Sequence, residues 1–129
     1  MSSVPSVEAA RTADAPPCSP LRQSLDLSVP RRQLGVVLVA PPYFDVPPKS
    51  YGGIEAVVAD LADALVARGH SVVLVGAGQP GTSARFVSVW EHTVPEQLGQ
   101  AYPEVMHAAA VRRAIEQLVV TDDVDVVHD

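Results

Sequence analysis

At 129 residues the chain is long enough for one domain and too short for the two that many transferases and dehydrogenases need. Hydrophobic residues make up 47%, charged residues 19% and aromatic residues only 5%, a globular composition whose core must be built from Val and Ala more than from rings. A formal charge of −6 leaves no diffuse positive field for a nucleic-acid backbone or an anionic membrane, and no apolar run reaches membrane-spanning length.

Residues 1–32 hold Pro5, Pro16, Pro17, Pro20 and Pro30 among many Ser and Ala, with no hydrophobic period, and read as a disordered leader. Its four arginines (Arg11, Arg22, Arg31, Arg32) outnumber Glu8, Asp14 and Asp26, so the acidity belongs to residues 33–129. Cys18, the sole cysteine, cannot close an internal disulfide and has no electropositive sequence neighbours to activate it; this fits a reducing cytoplasm. Arg31-Arg32-Gln33-Leu34 imitates a twin-arginine export leader. The apolar run behind it has only strand length, however, and Pro41 stands where a cleavage site would need a tolerant residue.

Residues 34–40 (Leu-Gly-Val-Val-Leu-Val-Ala) form a continuous aliphatic run, the mark of a parallel strand covered on both faces. After a proline-rich loop over 41–52, the apolar residues Ile54, Val57, Val58, Leu61, Ala62, Leu65 and Val66 recur at helical spacing. Gly69 supplies a left-handed stop, and residues 71–76 make a second buried strand, completing a βαβ unit. Residues 84–90 alternate and predict a third strand near an edge. A loop containing Pro95 and Pro103 precedes a second helix carrying Val105, Ala108, Val111, Ile115, Leu118 and Val119. Residues 124–128 begin a fourth strand with no helix after it to cover the sheet, so the domain reads as cut. The expected fold is α/β: a Rossmann-like parallel sheet of about four strands with helices on its faces, over residues 33–129.

Loops at the carboxyl ends of parallel strands are where such sheets bind ligands, which directs attention to residues 41–55. Gly52 and Gly53 lack β-carbons at a helix entrance, where a diphosphate could approach bare N–H groups stabilised by the helix dipole. The plainer alternative is a tight turn that needs glycine. Tyr51 and Glu55 flank the pair, and His128 at the end of the fourth strand lies on the same side of the sheet; all three are candidate cleft residues.

Other motifs carry less. Gly76-Ala-Gly-Gln-Pro-Gly81 matches a dinucleotide fingerprint, but the chain runs on into a strand where that motif must open a helix. Asp123-Val-Asp125 has the spacing of a metal-held carboxylate pair, yet sits at the amino end of its strand, away from the ligand side. His70 reads as a capping or half-buried imidazole, while His92 and His107 have no partners at metal spacing. No metal or cofactor is expected.

Together, residues 36–42 (Val-Val-Leu-Val-Ala-Pro-Pro), Pro47-Pro48, Tyr51-Gly52-Gly53-Ile54-Glu55, Leu61-Ala-Asp-Ala-Leu65, Arg68-Gly69-His70 and Val124-Asp-Val-Val-His128-Asp129 resemble the amino-terminal domain of family 4 glycosyltransferases. The likeness covers residues 33–129. It implies the acceptor-side half of a two-domain (GT-B), metal-independent, retaining transferase with a nucleotide-sugar donor, whose diphosphate would face Gly52 and Gly53. The carboxyl-terminal domain that grips the nucleotide would have to come from elsewhere, a separately encoded chain included, so no catalytic residue is assigned here and the chain alone is expected to be inactive. The competing reading is a non-catalytic Rossmann-like binding or interaction module, with a nicotinamide-dinucleotide domain further behind. The acceptor is not encoded in these motifs.

Overall fold

The computed structural model describes residues 31–129. The leader reading, Cys18 included, therefore lies outside the described residues except at Arg31 and Arg32. Residues Arg32–Asp129 form one compact unit.

The chain runs β1 (Gly35–Val39), α1 (Gly53–Ala67), β2 (Ser71–Ala77), β3 (Arg85–Trp90), one 3₁₀ turn (Pro95–Gln97), α2 (Ala101–Thr121) and β4 (Val126–His128). The strands make one wholly parallel sheet in the order β3-β2-β1-β4. This is the Rossmann-like α/β sheet that the aliphatic runs predict, with β3 at an edge.

Side chains alternate across a strand, so the central strand feeds two cores. Val36 and Leu38 pack with Ala59 and Ala62 of α1 on one face. Val37 and Val39 pack with Val111, Ala114 and Leu118 of α2 on the other. Each fully buried Val or Leu stabilises the fold by roughly 1.5–3 kcal/mol, which is why these strands carry no polar alternation.

Most of the expected stripes reach the cores, Val58, Leu61, Ala62, Leu65 and Val66 in α1 and Val111, Ile115 and Leu118 in α2, but each helix departs from its stripe at particular positions. In α1, Ile54 and Val57 remain 65% and 66% exposed. Glu55 and Ala59, outside the stripe, are buried along with Ala62, the two alanines letting the helix approach the sheet closely. In α2 the buried row is Pro103, His107, Val111, Ala114 and Leu118, whereas Val105 and Val119 face outward. Pro103 lies inside the helix and not in the preceding loop, as a first-turn proline forfeits no intrahelical bond.

The end of α1 follows the glycine signal. Gly69 adopts φ +89°, its N–H donates to the Val66 carbonyl, and the His70 N–H donates to Leu65, the paired bonds of a Schellman stop. His70 is half-buried, and its Nδ1 accepts the Leu34 N–H at 3.2 Å. That makes it a link between helix end and first strand.

Candidate functional site

Because α1 and α2 cover opposite faces while β1 and β4 are neighbours, a crevice opens at the carboxyl ends of these two strands, between the amino ends of the helices. This is the topological switch point at which open parallel sheets hold ligands. The crevice has a volume of about 820 Å³. Its floor is the end of β1 (Val39, Ala40), one rim is the entrance to α1, and the other is the first two turns of α2.

The α1 rim contains the expected glycines. Gly52 is the N-cap residue at φ 135°, with no side-chain cap. The first intrahelical bond runs from the Ala56 N–H to the Gly52 carbonyl, so the N–H groups of Gly53, Ile54 and Glu55 have no partner within the helix. A β-carbon on Gly52 would come within 2.9 Å of Pro48 and of the Glu55 carboxylate, whereas one on Gly53 would meet nothing within 4 Å. Gly52 is thus a turn glycine, as the plainer alternative has it. Gly53 is not: its backbone is open to the crevice and no protein atom requires the side chain to be absent. Tyr51 and Glu55 also line the crevice, Glu55 as a buried first-turn acid at the positive helix end.

The loop between β1 and α1 builds the rest of that wall. Its Val46–Pro47 peptide bond is cis. The rings of Phe44 and Tyr51 meet edge to face at 5.5 Å, and the Tyr43 phenol donates to Glu104 Oε1 at 3.1 Å, joining loop to α2. Burial first, then the Glu104 carboxylate, pushes the Tyr43 phenol above its ordinary value.

His107 fixes the α2 rim. Its Nε2 lies 2.8 Å from the Ala40 carbonyl, which can only accept, so the proton resides on Nε2. The buried Nδ1 has no partner among the described residues. Burial pushes the imidazole below its ordinary value, against the smaller opposing effects of the Ala40 carbonyl and Asp129. Sequence spacing assigned His107 no role, although its place in the 103-107-111-114-118 row was a legible sign of an inward side chain.

The structure separates the remaining candidates. His128 pairs in register with Leu38 and so takes the α1 face; it is exposed and does not line the crevice, whereas the next residue, Asp129, does. Asp125 is engaged at the opposite end of the sheet, where its carboxylate accepts the Gly35 N–H at 2.9 Å and pairs with Arg32. Asp122 holds Arg85 through two bonds of 3.0 and 3.1 Å. Gly81 ends the fingerprint-like run against the Val46 carbonyl, and β2 passes to β3 with no helix between them, so the nicotinamide reading has no dinucleotide seat. No cluster of three metal-ligating side chains forms, and no helix is long and apolar enough to cross a membrane, among the described residues.

Fold and crevice together define a Rossmann-like α/β domain whose cavity opens at the switch point. The family model for glycosyltransferase family 4 matches residues 51–129, from the tyrosine ahead of the glycine pair to the acid in the crevice. The chain belongs to that family. β1 lies outside the matched span but pairs with both β2 and β4, so the sheet is continuous with it. No curated protein matches the chain.

Proposed function

We propose that this chain is the acceptor-side half of a retaining glycosyltransferase of GT-B architecture, working with a nucleotide-sugar donor in the cytoplasm. The observation that carries the reading is the open space at Gly53 above unpaired N–H groups. A donor diphosphate there would receive backbone hydrogen bonds and the favourable end of the α1 dipole. The donor supplies the activated sugar; this chain's residues provide one wall, an anion seat on α1 and a polar rim on α2. Family membership supports the sugar-transferring class.

One wall does not exclude water or hold two substrates in line, so the 129-residue chain by itself is expected to bind without turning over. A second Rossmann-like domain, on a separate chain or a longer one, would complete the cleft. The test is an amide-shift titration with uridine, adenosine and guanosine diphosphates. Shifts concentrated at Gly52, Gly53 and Ile54 support the seat. Shifts spread elsewhere, or none, reject it, as does sugar transfer by the isolated chain.

A further inference from the structure

The α2 side of the crevice differs chemically from the α1 seat. Its polar groups are Glu104, Asp129 and the His107 imidazole, which burial pushes below its ordinary value. No Lys or Arg lines the crevice among the described residues. Lys49, in the neighbouring loop, sits 3.7 Å from Asp45. Arg85 is committed to Asp122, and Arg112 to Glu116 one turn along α2. The walls between these acids are apolar and aromatic: Pro42, Tyr43, Phe44, Tyr51 and Leu98.

From this we infer that the α2 side of the crevice receives a hydroxyl-bearing acceptor ring without phosphate or carboxylate groups, its apolar face lying on the aromatic wall. The carboxylates accept hydrogen bonds from ring hydroxyls, whereas a phosphorylated acceptor would bring like charge against them with no cation to offset it. The inference rests on the glycosyltransferase reading and adds the class of acceptor to it. It is compatible with a diphosphate at α1, because the first-turn N–H groups there lie beside the open space at Gly53.

The experiment titrates the isotope-labelled 129-residue chain with phenyl glucoside and with its phosphorylated derivative, and in a separate arm with inorganic pyrophosphate. The neutral glucoside is expected to shift the amides of Glu104, His107 and Ala108, and the phosphorylated one to bind at least about tenfold more weakly. In Glu104→Gln, which keeps an acceptor for the Tyr43 phenol, that gap is expected to shrink to about threefold or less. Equal or tighter binding of the phosphorylated glucoside overturns the inference, as does absence of shifts with the neutral one or an unchanged gap in Glu104→Gln. Pyrophosphate reports separately at Gly53 and Ile54: shifts there with the glucoside order reversed overturn the acceptor class alone, whereas their loss overturns the seat.

Discussion

Gly52 and Gly53 are adjacent, yet only Gly52 is glycine for the sake of the fold. Gly52 holds φ +135° with Pro48 and Glu55 packed where a β-carbon would stand, while the same position on Gly53 is empty. Gly52→Ala is therefore expected to destabilise the protein by about 1–3 kcal/mol through backbone strain and crowding. Gly53→Ala, at a helical position with free space, is expected to be neutral or to stabilise by about 0.4–1 kcal/mol. Urea unfolding of the two variants checks the contrast, and equal losses would remove the argument that Gly53 serves a ligand.

His107 predicts a pH dependence with a definite sign. Its folded value is depressed below 6.5, chiefly by burial, so between the two values the unfolded chain holds a proton that the folded chain does not. Stability is then complete above about pH 6.5 and falls as acid is added through the interval down to the depressed value. Asp63, lowered by its bonds from Ser83, and Asp122, lowered by Arg85, add losses only below the ordinary 3.8. In His107→Gln the side-chain amide can still donate to Ala40 but does not titrate. Unfolding curves between about pH 8 and about pH 5 should slope for the native protein and flatten for the variant.

Tyr43 provides a second spectroscopic handle on the crevice. Its phenol is expected to ionise above 10.0, with burial as the largest single cause and the hydrogen bond and charge of Glu104 behind it. Ultraviolet titration of Glu104→Gln should lower that value without restoring it fully. Full restoration would mean that the carboxylate, not burial, controls the group.

Much of this architecture is legible in residue order. The run over 34–40 reads as a doubly covered strand because Val36 and Leu38 serve one core while Val37 and Val39 serve the other. Gly69 marks a helix end through a backbone requirement that is local. The glycine loop reaches the switch-point crevice by the same topological rule that placed it there in sequence. The edge of the α1 stripe is not legible, because apolar spacing cannot show that Glu55 and Ala59 are buried while Ile54 and Val57 stay at the surface. Nor was the bond from Tyr43 to Glu104, whose partners are 61 residues apart with no local pattern linking them. Asp129, not His128, enters the crevice because one step along a pleated strand reverses the side chain.

The most direct test of the anion seat compares nucleoside diphosphate binding by the native protein and Gly53→Val, measured by calorimetry beside thermal melts. The account predicts at least about a tenfold loss of affinity with the melting temperature little changed, because the added side chain fills space that only a ligand uses. Undiminished binding by a folded Gly53→Val protein would contradict it.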